Sequence, residues 1–372
     1  MHTIKPLTSF ACLLLHAICF AQTDTIKFKI DSIAKQFLSN PQTASIVVGI
    51  YRQGSTTPEI YPYGVVNKQT KQPADATTIY KLGSVGKTFT ATTLAWYAIN
   101  QPQVVQLNDP INKFFPATQQ LPFWVSNTGD TINISLLNLA MHYSGLPDSQ
   151  PNHIGPPNYT VARLLDFLGS DNPKWHVRPL SVQPGTKWIY SNTGFGLLGV
   201  IMERISGLAY QQLLDSIFVN ELNMPDTRIQ LNQSQRARLA TGYQNGDTVK
   251  YLLTSPAFYG AGGNFSCMND MMKYLAWNMG LTNSKLNNLL DTLHAIRDTT
   301  TRSTAWQGLA WQTSLLPGTQ QKFVWKDGST AGYASFICFV PAKKIGVMVL
   351  SNSSGLPFDR IGIQILKILN SY

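Results

Sequence analysis

The chain has 372 residues, 44% of them hydrophobic, and a formal net charge of +10 from 29 Lys and Arg against 19 Asp and Glu. Its basic residues are scattered, with Lys343 and Lys344 the only adjacent pair, so nucleic acid is not expected as a partner and attraction to anionic envelope polymers is the modest inference. Cys267 and Cys338, the cysteines outside the first 21 residues, are too few for a disulfide framework and are expected as buried free thiols, while His142, His153, His176 and His294 show no metal-ligand spacing, so neither a metal nor another cofactor is expected.

Residues 1–21 have the pattern of a secretory signal. Lys5 is the only charge, an apolar stretch runs from Leu7 to Phe20, and Cys19-Phe20-Ala21 offers small residues to a signal peptidase. The stretch is short for a membrane span and is interrupted by His16. Ile18 is too large for the residue that precedes a lipidated cysteine, so cleavage near Ala21 and export to a periplasmic or extracellular space are expected, with no transmembrane anchor.

Past the signal, Ile26, Ile30, Ile33 and Phe37 fall at helical spacing. Two strand-like runs follow, 44–51 and 59–66, separated by the turn-rich QGSTTP. At the other end QKFVW, YASFICFV and KIGVMVLS look like antiparallel strands, and a closing helix puts Phe358, Ile361, Ile365 and Leu369 on one face. Strand-rich ends around a mostly helical middle predict an α+β fold in one domain, 22–372. Its antiparallel sheet would come from about 22–83 and 305–372, flanked by the terminal helices, with the helical part at about 84–304.

Three short stretches carry chemistry. In KLGSVGKTFTATTLAWYA (81–98), Ser84 stands at a helix start and Lys87 three residues on, so both share one face and the amine reaches the hydroxyl. That pattern suits a serine nucleophile whose proton a neighbouring lysine accepts. A second Ser-x-x-Lys, Ser32 and Lys35, reads as a solvated helix face. Gly86-Lys87-Thr88 ends like a P-loop, but the first glycine that motif needs would fall on Lys81. No G-x-S-x-G elbow occurs.

In QPGTKWIYSNTGFGLLGVIMERISG (183–207), Tyr190 and Asn192 lie between a Pro-Gly turn and a helix. A phenol held there near lysines would have a lowered pKa and could act as general base, although a tyrosine taken alone is more often a hydrogen-bonded core residue. The other Tyr-x-Asn, Tyr243 to Asn245, reads as a polar surface turn. In WKDGSTAG (325–332), Lys326, Asp327 and Gly328 end a strand and are followed by Ser329 and Thr330. Small residues along an edge strand let a substrate backbone approach, and a free N–H there can serve an oxyanion.

The ordered set SVGK, YSN and KDG resembles the serine β-lactamase and penicillin-binding protein superfamily, most closely class C β-lactamases and their DD-peptidase and esterase relatives. The resemblance extends from about residue 45 to 368 through LNDPINKFFP, LLNLAMHYSGLP, ELNMPDT, YGAGGNFSCMNDMMKYL, WQGLAWQ and GSTAGYASFICFVPAKKIGVMVLSN. It implies that Ser84 is acylated, that Lys87 and Tyr190 share acid–base work, and that Lys326 lends positive charge to Tyr190 and to a substrate carboxylate. It also implies that Asn192 binds the acyl side and that the backbone N–H groups of Ser84 and Ser329 form the oxyanion hole. Gly328, Asp327, Thr330 and Arg360 complete the expected substrate contacts, and His142 is expected to brace the cleft.

One position departs from the family. The middle residue of the third motif is usually Thr or Ser, and Asp327 has no proton to donate at neutral pH. It would repel a nearby anion by about 1–4 kcal/mol, depending on screening. Either Asp327 pairs with a cation or the site takes substrates without a carboxylate there. The expected protein is therefore a monomeric exported serine hydrolase acting on β-lactams or D-Ala-D-Ala peptides of peptidoglycan. An esterase or amidase on uncharged acyl compounds is the first rival, and a penicillin-binding sensor that stays acylated is the second.

Overall fold

A computed structural model describes residues 25–372 apart from 120, 150–158, 170–178, 251–252 and 299–304. The signal segment, His153 and His176 lie outside the described residues. Residues 25–38 form helix α1, which buries Ile26, Ile30, Ile33 and Phe37 and leaves Ser32 and Lys35 exposed. Strands β1 (Ser45–Tyr51) and β2 (Glu59–Gly64) follow. The C-terminal part supplies β3 (Trp306–Gln307), β4 (Gln312–Leu315), β5 (Lys322–Thr330), β6 (Tyr333–Val340) and β7 (Ile345–Ser351). The seven form one antiparallel sheet in the order β2-β1-β7-β6-β5-β4-β3.

Every residue of β1, β6 and β7 is buried, because the sheet is covered on both faces. The side chains divide strictly by strand alternation. Ile46, Val48, Ile50, Phe336, Cys338, Val347 and Val349 face the terminal helices α1 and α5, the latter spanning Phe358–Asn370. Val47, Ile337, Phe339, Met348 and Leu350 face the helical half. Cys267 and Cys338 are buried free thiols.

The helical half is centred on α2 (Gly86–Asn100), α3 (Asn192–Ser206) and α4 (Met268–Asn278). Helix α2 is rich in β-branched threonine, a poor helix former, and burial overrides that propensity. Thr88, Thr92 and Thr93 return their hydroxyls to the backbone carbonyls of Val85, Thr88 and Thr90 at 2.7, 2.8 and 2.7 Å. The middle of the chain also contains small ladders, including Ile79–Lys81 against Phe265–Cys267. Tyr243 belongs to another of these. Asn245 and Gly246 do make the expected turn, both with positive φ, but Tyr243 is buried and its hydroxyl accepts from the Lys68 N–H at 2.7 Å.

Candidate active site

Ser84 sits in a single helical turn, Gly83–Val85, that runs directly into α2. Lys87, one residue inside α2, is fully buried and points back to it. Its Nζ donates to Ser84 Oγ at 3.0 Å, to Asn192 Oδ1 at 2.6 Å and to the Ala261 carbonyl at 2.5 Å. Three acceptors match the three protons of an ammonium, so the side chain is held rigidly. Burial pushes the Lys87 pKa down from its ordinary value, against the pull of Tyr190.

Tyr190 closes the triangle, with its hydroxyl 2.6 Å from Ser84 Oγ. Burial disfavours its phenolate, but the charges of Lys87 and Lys326 outweigh that, and the phenol lies below its ordinary value of 10.0. The Lys87 and Lys326 ammonium groups stand 4.9 and 5.6 Å from the ring centre. The ring stacks on His142 at 4.4 Å, and His142 Nδ1 accepts from the Ser191 N–H at 3.1 Å. Ser191 caps α3 by accepting from the Gly194 N–H at 2.8 Å. One histidine thus sets the phenol and the helix start that carries Asn192.

The third wall is β5. The strand runs through KDGST as an edge strand, paired with β6 as far as Thr330. Its other neighbour, β4, ends opposite Trp325, so Lys326 to Thr330 form an open edge beside Ser84. Two glycines permit this approach. A Cβ on Gly328 would lie 2.1 Å from the Leu82 carbonyl oxygen, and one on Gly83, at φ +55°, would lie 2.8 Å from the Ser329 nitrogen. Gly328 therefore seats the strand against the nucleophile's turn.

Lys326 is buried at 3% exposure, and its Nζ lies 3.1 Å from Asp327 Oδ1. The Asp327 side chain is 56% exposed, and Lys326 holds its carboxyl below the usual range. The cation that Asp327 meets is thus its own neighbour. Two cavities lie at this cluster. One, of about 250 Å³, is lined by Trp188, Tyr190, Gln307, Trp325, Lys326 and Asp327. The other, of about 260 Å³, is lined by Lys81, Ser84, Asn192, Thr254, Ser329 and Thr330.

Arg360 is not part of this cluster. It lies on α5 and lines a groove with Ile33, Phe37 and Leu356, on the face of the sheet turned away from α2. The register of the last helix, which packs its apolar stripe on β6 and β7, carries Arg360 to that side. Sequence reasoning missed Asp148, which follows the SGLP motif and accepts from Asn192 Nδ2 at 2.9 Å.

The family model described as Beta-lactamase matches residues 30–369. A beta-lactamase from Psychrobacter immobilis is 28% identical over 405 residues, covering 96% of this chain and 93% of its own. The D-alanyl-D-alanine-carboxypeptidase/endopeptidase AmpH from Escherichia coli (strain K12) is 26% identical over 267 residues, covering 68% of this chain and 66% of its own. A solved class C beta-lactamase superposes with a TM-score of 0.79 at 24% identity, covering 93% of this chain and 96% of its own. The chain has the class C β-lactamase fold and belongs to the Beta-lactamase family of serine hydrolases.

Proposed function

We propose that the chain is an exported serine hydrolase that forms an acyl-enzyme on Ser84 and acts on β-lactams or D-Ala-D-Ala peptides. The observation that carries this reading is the Ser84 hydroxyl held at once by Tyr190 at 2.6 Å and Lys87 at 3.0 Å. Export rests on residues 1–21 with cleavage near Ala21, and no helix among the described residues is long and apolar enough to cross a membrane. The protein acts as a monomer.

In the acylation step Ser84 Oγ attacks the substrate carbonyl carbon while its proton passes to the Tyr190–Lys87 pair. Both groups lie below their ordinary pKa values, Lys87 through burial and Tyr190 through the charges of Lys87 and Lys326, which makes the pair a readier proton acceptor than a free phenol or amine. The negative oxygen of the tetrahedral intermediate accepts from the N–H groups of Ser84 and Ser329. The C–N bond then breaks, and Tyr190 returns the proton to the leaving nitrogen. A water attacks the resulting ester by the same relay and regenerates Ser84. Asn192, oriented by Lys87 and Asp148, binds the acyl side, and the Lys326 charge favours the Tyr190 phenolate.

A second reading, an esterase or amidase on uncharged acyl compounds, is favoured by the Lys326–Asp327 pair, which partly neutralises the cation that a leaving-group carboxylate would meet. Incubation with a fluorescent penicillin, a chromogenic cephalosporin and p-nitrophenyl acetate, alongside Ser84→Ala, separates the outcomes. Covalent labelling or turnover that Ser84→Ala abolishes is expected. Labelling without turnover indicates a penicillin-binding sensor, and ester cleavage alone indicates the second reading. Full activity in Ser84→Ala overturns the mechanism.

A further inference from the structure

We propose that Gln312 is a specificity-determining residue whose side-chain amide receives a neutral carboxamide or carbamate on the leaving portion of the substrate. The inference rests on Ser84 being the acylated residue and concerns what departs from it.

Direction comes from the proton path. The group that returns a proton to the leaving atom must stand on the leaving-group side. Tyr190 lines the cavity it shares with Lys326 and Asp327, so the leaving group belongs there. The acyl portion, still bonded to the attacked carbonyl, then extends into the cavity lined by Ser84, Asn192 and Thr254.

Gln312 lines the leaving-group cavity and is only 6% exposed. It opens β4, opposite Trp325 of β5 on one side and Gln307 of β3 on the other. The polar groups of its neighbours are already committed. Gln307 Nε2 donates to the carbonyls of Gly308 and Trp311 at 2.8 and 3.1 Å, and Gln307 Oε1 accepts from Trp188 Nε1 at 3.1 Å. Trp325 Nε1 donates to Ser314 Oγ at 3.0 Å. Each indole has a single N–H, so both rings face the cavity as apolar walls. The Gln312 amide, by contrast, makes no hydrogen bond with any described residue. A buried amide without partners opposes folding, and a residue needed only to fill this space would be apolar.

The chemistry of the ligand follows from that of the amide, which has both a carbonyl and an amino group to satisfy. A carboxylate can only accept, and Asp327 in the same lining repels it. A carboxamide or carbamate donates and accepts, has no charge, and is flat enough to lie against an indole. A ligand that lacks such a group leaves the Gln312 amide buried and unpaired, which is how a site discriminates between substrates of the same shape.

Two cephalosporins with the same thienylacetyl acyl group test this. One has a carbamoyloxymethyl substituent on the dihydrothiazine ring and the other an acetoxymethyl substituent. They differ only by an amino group in place of a methyl group, on the side of the leaving nitrogen, and the ring carboxylate is common to both. Each is titrated calorimetrically into the Ser84→Ala protein, which cannot be acylated. The carbamate should bind roughly fivefold more tightly, the scale of one neutral hydrogen bond. Adding Gln312→Met, which keeps the length of the side chain and removes its amide, should abolish that preference. The comparison in the Ser84→Ala protein alone does not depend on how the Gln312 variant folds. Equal binding of the two cephalosporins, binding of neither, or a preference that persists in folded Gln312→Met protein overturns the proposal. Fluorescent-penicillin labelling of the unmutated protein reports the serine separately. Labelling without a carbamate preference removes the subsite and leaves the acyl-enzyme standing. A preference that Gln312→Met abolishes, without labelling, does the reverse.

Discussion

The two cavities at the catalytic cluster are nearly equal in size, about 250 and 260 Å³, yet only the first has an acidic side chain in its lining among the described residues. On the leaving-group side Lys326 is met by the carboxylate of its neighbour Asp327 at 3.1 Å. On the acyl side Lys81 shares its lining with hydroxyl and amide side chains and no acidic one among the described residues. Positive charge is therefore damped where the family's third motif usually supports a carboxylate. A buried cation sets preference for a substrate only through what is allowed to stand next to it, and a single side chain can reverse that preference without touching the catalytic groups.

The largest expected effect comes from removing the hydroxyl that meets Ser84. Tyr190→Phe keeps the ring that stacks on His142 and deletes the hydroxyl 2.6 Å from Ser84. Acylation should fall by about 10²–10⁴, the usual contribution of a positioned acid–base group. The pH profile gives a second reading of the same change. With the phenol and Lys87 both held below their ordinary values, activity should rise with pH along a limb displaced to lower pH than a free phenol would give, through apparent values that belong to the pair. In Tyr190→Phe the rising limb should move, since one member of the pair is gone. Stopped-flow acylation across pH measures both, and an unmoved limb would assign the titration to another group.

Next in size is a change that disturbs both cavities together. Gly328→Ala would drive a methyl group against the Leu82 carbonyl, a backbone atom that cannot turn aside. Overpacking of this kind destabilises by about 1–3 kcal/mol, and a shift of the Ser84 turn by about 1 Å lowers the rate by roughly 10². Thermal melting together with acylation rates checks this. A variant with unchanged melting temperature and unchanged rate would show that the strand can retreat without moving Ser84.

These two positions show what the sequence displays and what it hides. Ser84 and Lys87 were legible because their contact is local, three residues along one helix. Tyr190 and Lys326 were legible only as short motifs in a fixed order, since nothing in either segment says that 106 and 242 residues of chain separate them from the serine they serve. The main strands were legible as apolar runs, and their side chains divide between the two faces by alternation, whereas their order in the sheet was not. Asp148 and the Ala261 carbonyl were hidden because each acts through a partner reached across the fold. Arg360 was misplaced because a motif position says nothing of which face of the sheet its helix turns toward. The edge strand at KDGST was legible from its small residues, although glycine and aspartate are poor strand formers. Pairing with β6 and the close seat on Gly83 outweigh that propensity.

The smallest predicted effect decides how the two cavities differ. Asp327→Thr restores the hydroxyl usual at that position and releases Lys326 from its carboxylate neighbour. The Asp327 side chain is 56% exposed, so its charge is screened and its repulsion of a leaving-group carboxylate belongs at the low end, about 1 kcal/mol. That corresponds to roughly a fivefold to tenfold gain in kcat/KM for substrates whose leaving group has a carboxylate, such as benzylpenicillin or a D-Ala-D-Ala peptide. An uncharged ester such as p-nitrophenyl acetate should change little, because it places no charge at either lysine. The ratio of the two substrates is the quantity to read, since a general change in folding or in Ser84 would move both alike. A rise in both, or in the ester alone, would mean that Asp327 acts on the Lys326–Tyr190 relay and not on substrate charge.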